Sequence, residues 1–254
     1  VKITFLGTGT SQGVPVIGCS CAVCTSSSPF DKRLRVSMLL EIEGKNFVID
    51  TGPDFRYQML RAGVRRLDGI LITHEHKDHV AGLDDVRAFN YHQKEAMNVY
   101  AHKRVHETLE REFHYAFAAF KYPGVPLINL NEIHNEPFSI GGLQVIPIEV
   151  MHYLLPVFGF RMNDFTYITD AKTISEAEKS KIAGSKVLVV NALQKEPHIS
   201  HFTLDEAIAF AQEMGVERTL FTHISHRLGT HEDVNRALPA GIVLAYDGLS
   251  IEMT

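Results

Sequence analysis

The chain has 254 residues, 45% hydrophobic and 22% charged, with 25 basic and 30 acidic side chains and a net charge of −5. That composition excludes a disordered, collagen-like or coiled-coil chain, and at this length a large core forms without disulfide staples. No apolar run approaches the ~18 residues of a membrane span, and the lack of a basic excess argues against a broad nucleic-acid surface.

Residues 1–6 form a short strand-like stretch that runs into glycines and lacks a signal-peptide core, so a cytoplasmic location is expected. Further strands are predicted over 37–42, 46–49, 69–72, 99–101, 143–148, 159–162, 166–168, 186–190, 218–221 and 242–245. They are rich in Val, Ile, Phe and Thr and often bounded by glycine or polar turns. Helices are predicted over 56–62, 84–91, 104–120, 175–183, 204–213 and 230–237. Thr203, with Glu206 three residues later, reads as a capping box ahead of the helix 204–213. Strands mixed with helices in layers mean an α/β or α+β fold. No segment reads as a linker, so a single domain over 1–254 is expected.

Two groups of residues carry chemistry. His74, His76, Asp78 and His79 fall within six residues, in the stretch Gly69-Ile-Leu-Ile-Thr-His-Glu-His-Lys-Asp-His79 directly after a strand. At near-extended geometry His74 and His76 point the same way and can clasp one metal. The chain then turns, and Asp78 with His79 can face a second. Imidazole plus carboxylate suits zinc, manganese or iron. The other group is Cys19, Cys21 and Cys24, the only three cysteines of the chain. An odd, tight cluster does not read as a disulfide framework.

His74-x-His76-x-Asp78-His79 resembles the signature of the metallo-β-lactamase fold superfamily. The rest of that pattern appears in order: His152, Asp170 and His223 each follow a predicted strand. The resemblance implies an αββα sandwich with two divalent cations. His74, His76 and His152 would hold one, Asp78, His79 and His223 the other, and Asp170 would bridge them. Asp50, in Val48-Ile-Asp-Thr-Gly52, matches another motif and would orient a metal-bound histidine. Flavodiiron oxidoreductases of this superfamily carry Glu at the position of His76, so hydrolysis is the better reading.

A structural zinc wants four ligands. The fourth partner for Cys19, Cys21 and Cys24 is expected to be His226, in His223-Ile-Ser-His226, which would tie the loop 18–25 to the metal centre. The run Gly7-Thr8-Gly9, Gly13-Val14-Pro15 and Gly18-Cys19 leading into that loop resembles the PhnP-type phosphodiesterases. By itself the glycine-rich stretch reads as a tight turn after the first strand. His201, in His198-Ile-Ser-His201-Phe-Thr, matches the position of the general acid in PhnP-type enzymes and in ribonuclease Z. His198 lies off the motif and has no assigned role.

The resemblance therefore implies a phosphodiesterase acting on a small ester, with cyclic nucleotide and ribose esters among the candidates. A bridging hydroxide would attack phosphorus, Asp78 would help orient it, and His201 would protonate the leaving oxygen. The cofactors would be two ions of manganese or zinc plus one structural zinc. A homodimer is implied by resemblance alone. The rivals are a thioester or acyl hydrolase on the same metals and ribonuclease Z-like RNA processing. No Gly/Pro-rich basic arm of the ribonuclease Z kind is visible. Asn191 ends a strand where many relatives carry an acidic residue, so no role is given to it. Phe113, Phe117 and Phe120 would share one face of the helix 104–120, read as packing surface.

Overall fold

The structure, a computed structural model, describes residues 1–253. Its strands are β1 (Lys2–Gly7), β2 (Ser37–Ile42), β3 (Lys45–Ile49), β4 (Gly69–Leu71), β5 (Met97–Ala101), β6 (Ile128–Glu132), β7 (Phe138–Ile140), β8 (Leu143–His152), β9 (Leu155–Met162), β10 (Phe165–Tyr167), β11 (Val187–Asn191), β12 (Arg218–Thr222), β13 (Ile242–Leu244) and β14 (Ser250–Glu252). They form two seven-stranded sheets, β14-β1-β2-β3-β4-β5-β6 and β13-β12-β11-β10-β9-β8-β7.

Side chains alternate across a strand, and the apolar runs use both faces. Ile49 and Leu71 point inward, to a core that they share with Phe160, Tyr167 and Val189 of the other sheet. Their neighbours Val48 and Ile70 point outward, under Phe55 and Met59 of one helix and Val105 and Leu109 of another. Leu188 and Val190 do the same beneath Ala207 and Phe210. The layers are thus helix, sheet, sheet, helix, the αββα arrangement that the resemblance implies. Strands buried on both faces read as continuous apolar runs, which is why β4 and β11 are legible in the sequence.

Strands β3 to β6 run parallel, as do β10 to β13. Strand β8 pairs antiparallel with β9, which pairs antiparallel with β10, so β8 and β10 point the same way. The carboxyl ends of these strands lead into Asp50, His74, His152, Asp170 and His223. Such ends are where layered sheets hold ligands.

Three strands escape the sequence reading: β6, β7 and β14. Each lies at or next to a sheet edge, and β6 (Ile-Asn-Leu-Asn-Glu) is half polar. The helix predicted over 104–120 is two pieces, Lys103–Glu112 and His114–Phe117, broken where Phe113 leaves helical geometry. Phe113 is buried, but Phe120 is 87% exposed, so the three phenylalanines do not share a face. The helix of 204–213 is present as Leu204–Met214, and its capping box forms in full. No helix among the described residues is long and apolar enough to cross a membrane.

Candidate active site

The geometry starts at Asp50. Its carboxylate is fully buried and accepts three kinds of donor: the Thr73 N–H at 2.8 Å, the Thr73 hydroxyl at 2.9 Å and the His79 Nδ1–H at 2.7 Å. The Asp50-Thr-Gly52 turn also grips the histidine loop through its backbone, with Thr51 N–H donating to the His79 carbonyl at 2.7 Å. Gly52 is required there, because a Cβ would overlap the Asp78 carbonyl oxygen. One turn therefore both grips the histidine loop and orients the His79 ring.

The seven predicted metal ligands converge. His74, His76 and His152 form one set of ligand atoms, and Asp78, His79 and His223 another, each lying within 4.8 Å of one another. Asp170 joins them: its Oδ2 is 3.4 Å from His79 Nε2 and 3.3 Å from His223 Nδ1, and its carboxylate also groups with His74 and with His152. Second contacts fix several ring orientations. His74 Nδ1–H donates to the Thr73 hydroxyl oxygen at 3.0 Å, and His152 Nδ1–H donates to the Ser200 carbonyl at 2.9 Å. His74 Nε2 then faces His76 Nδ1 at 3.1 Å. Two lone pairs so placed repel unless a proton or a cation lies with them. His79 Nε2 and His223 Nδ1 are buried and have no hydrogen-bond partner. Buried polar atoms are normally satisfied, and this donor set of imidazoles and carboxylates fits divalent cations.

The charges agree. Burial raises the Asp50 carboxyl above its usual range, against the pull of His79. Burial disfavours a charged His79, yet Asp78, Asp50 and Asp170 around it push it well above the ordinary imidazole value. Burial would raise Asp170, but His223, His79 and His201 hold it well below the carboxylate range. Burial depresses His74, His76 and His223. His74, His76 and His223 are thus neutral imidazoles, while His79 carries the proton that its three neighbouring carboxylates favour.

Three of these residues sit in the left-handed backbone region: Asp50 (φ 62°), Asp170 (φ 57°) and His223 (φ 54°). That conformation costs about 1–2 kcal/mol for an L-residue with a side chain. It persists at functional sites where surrounding structure over-determines it. At Asp170 the clamp is Asn191. Its buried side chain accepts from the Ala171 N–H at 2.7 Å and donates to the Ala171 carbonyl at 3.0 Å. Asn191, without an assigned role from sequence, thus holds the Asp170 turn through the backbone, which an acidic side chain could not do with both groups.

Glu75 and Arg104 form a further contact that the sequence pattern does not announce. Arg104 Nε donates to Glu75 at 2.7 Å and its NH2 group to the Pro156 carbonyl at 2.6 Å, joining the histidine loop to the start of β9. A charged residue between two ligands was the available signal. His201 is buried against the same centre, with Nδ1 3.7 Å from Asp170 Oδ1 and no hydrogen-bond partner. Burial pulls it down to about 3, with Asp170 opposing and His223, His152 and His198 assisting. The His198 ring lies 5.1 Å from the His201 ring, tilted 41° to it, and outside the ligand groups.

The cysteine loop reaches its predicted partner. Cys19, Cys21, Cys24 and His226 bring their ligand atoms within 4.8 Å of one another. His226 Nδ1 lies 3.3 Å from Cys19 Sγ and 3.4 Å from Cys21 Sγ. The Cys24 N–H and the His226 ring lower the Cys21 thiol to about 6, while burial pushes Cys24 up to about 11. Three sulfurs and one imidazole are a tetrahedral zinc set. The glycines before it serve close approach as well as turning. Gly9 forms bridges to both Arg35 and Ile224, the residue after His223, and a Cβ on Gly7 would overlap the Arg35 carbonyl.

Comparison with known proteins agrees with this geometry. Residues 45–224 match the model of the β-lactamase superfamily domain. A crystal structure of a diphosphatase from the PhnP family is 41% identical, covers 98% of this chain and 96% of its own, and superposes with a TM-score of 0.93. An octanoyltransferase of Porphyromonas gingivalis is 39% identical over 98% of the chain, which spans 51% of that protein. A ribonuclease Z of Bradyrhizobium diazoefficiens is 40% identical over 32% of the chain and 22% of its own length. The chain thus spans about half, or less, of these two relatives. Zn2+-bound PqqB from Methylobacterium extorquens, 19% identical with full coverage of both chains and a TM-score of 0.82, shows the fold alone. The chain belongs to the β-lactamase superfamily and has the metallo-β-lactamase fold of its hydrolases.

Proposed function

We propose that the chain is a metal-dependent phosphodiesterase of a small ester. His74, His76 and His152 would hold one cation, Asp78, His79 and His223 a second, and Asp170 would be shared; manganese and zinc both suit these donors. The observation that carries the reading is the position of His201, buried with an unpartnered Nδ1 beside the carboxylate that the two donor sets share. When bound, a pair of divalent cations activates water near neutral pH and offsets charge on the phosphoryl oxygens.

The chain's own residues do the rest. Asp50 accepts the His79 Nδ1–H, which leaves the Nε2 lone pair for a cation. Asp78 accepts a hydrogen bond from the attacking water. His201 gives a proton to the departing oxygen. An alkoxide is a poor leaving group near neutrality, and a positioned acid contributes about 10²–10⁴-fold. Burial keeps His201 neutral when the site is empty of substrate, so its proton belongs to the complex with an anionic ester, whose charge favours the imidazolium.

The name of the 41%-identical structure favours a second reading on the same centre, cleavage of a diphosphate linkage with phosphate leaving. The octanoyltransferase relative points instead to acyl chemistry, although half of that protein lies outside the match. A panel of a phosphodiester, a dinucleotide diphosphate and an octanoyl thioester tests the three. Turnover of the phosphodiester above the others supports the proposal. Turnover of the thioester alone overturns it.

A further inference from the structure

The β8–β9 hairpin breaks the chemistry of its own turn. His152 pairs with Leu155, so Tyr153 and Leu154 form a two-residue loop. Such loops favour Asn-Gly or Asp-Gly because central residues adopt positive φ. Here Tyr153 takes φ 58°. A bulky residue in that region is strained, and strain kept at a site points to a use. Both side chains also face solvent, Tyr153 at 52% and Leu154 at 75% exposure.

Across from them lies Ile199, 64% exposed, two residues before His201. Tyr153, Leu154 and Ile199 line one cleft of about 430 Å³ together with His76 and His152. That size falls within the range of ligand pockets. One wall continues directly into His152, and the other into the loop of His201. The two walls are tied together, because the Ser200 carbonyl accepts the His152 Nδ1–H. No Lys, Arg, Asp or Glu lines the cleft.

We infer that this cleft is the subsite for a planar ring on the leaving group of the ester, with Tyr153 as the stacking face and Leu154 and Ile199 as its apolar rim. The inference rests on the phosphodiester reading and deepens it. The position beside His201 assigns the subsite to the departing side of the bond. The absence of charged or amide side chains means that it holds a ring by its faces and does not read its edges, so it tolerates different bases or aryl groups. An alkyl chain would lose rotamer freedom in an open slot for only partial burial.

The test is calorimetry on cation-loaded protein with phenylphosphonate and methylphosphonate. Both present the same anionic head to the centre, and only one carries a ring. The wild-type protein is expected to bind phenylphosphonate on the order of tenfold more tightly, as one stacked ring supplies. Tyr153→Gly fits the positive φ, so it is expected to fold with an unchanged or higher melting temperature, and to bring that ratio toward one. Ile199→Ser is expected to lower the ratio from the other wall. Equal affinities in the wild type, or a ratio that survives both substitutions, overturn the subsite. Failure of both phosphonates to bind, in protein shown to hold its cations, overturns the phosphodiester reading instead.

Discussion

Asp50 Oδ2 lies 2.7 Å from His79 Nδ1, and both side chains are completely shielded from solvent. One carboxylate therefore sets the tilt and charge environment of His79, whose other nitrogen faces Asp78 and Asp170. Asp50→Asn keeps the volume but can offer an N–H where an acceptor is needed. Partners of this kind cost about 10–100-fold in metal affinity when altered. Titration of the metal-free variant should show that loss; affinity equal to the wild type would mean that Asp50 serves the turn alone.

Asn191→Ala removes both side-chain hydrogen bonds to Ala171 and leaves its buried N–H unpaired, while its carbonyl keeps the Phe202 N–H. One such orphaned group costs about 1–3 kcal/mol. Denaturant unfolding is expected to show a loss of roughly 1–3 kcal/mol, with weaker retention of metal because the Asp170 turn slackens. Asn191→Asp should fail to rescue, since it keeps the acceptor but supplies no donor in its ionised form.

Cys21→Ser removes one sulfur from the set of Cys19, Cys21, Cys24 and His226. Metal analysis should find one zinc fewer per chain, with the ions of the histidine centre retained. Unchanged zinc content would contradict a structural site there. The loop is expected to become protease-sensitive in the variant, because the helix Ala22–Thr25 is a single short turn with little else to hold it.

His231 gives a pH prediction away from both clusters of candidate ligands. Burial and the neighbouring Arg33 guanidinium lower it to about 4, and its Nδ1 accepts from Arg33 NH2 at 3.1 Å. In the unfolded chain it protonates near the ordinary value of about 6.5. Between those two values the unfolded state binds more protons, so stability falls as pH drops from about 6.5 to 4. Melting temperatures across that window should decline less steeply in His231→Gln than in the wild type. Parallel curves would remove His231 from the account.

Much of this was legible because the chemistry is short-range or sits on strongly patterned strands. His74 to His79 form a contiguous motif, and His152, Asp170 and His223 each follow an apolar strand. Thr203 and Glu206 announce their helix by local capping. The rest depends on contacts that no local pattern encodes. Asn191 acts on the backbone of Ala171, twenty positions away. Arg104 reaches Glu75 and Pro156 from a separate helix. Tyr153 occupies a turn that favours Asn or Gly, so its sequence points away from its conformation. Phe113 ends a helix that apolar spacing would carry on to Phe120.

His201→Ala separates proton donation from metal binding. The variant is expected to keep the metals, lose about 10²–10⁴-fold on an ester with an alkyl leaving group, and lose much less on one that releases nitrophenolate. Equal losses on both would assign His201 to binding rather than to acid catalysis.

Hydrolysis of bis-p-nitrophenyl phosphate, by protein stripped of metal and reloaded with manganese or zinc, decides whether the chain is a metal-dependent phosphodiesterase. The account predicts no turnover in the stripped protein and clear turnover restored by at least one of the two. Silence with both ions, in protein shown to hold them, would contradict the phosphodiesterase reading and shift the weight to acyl substrates.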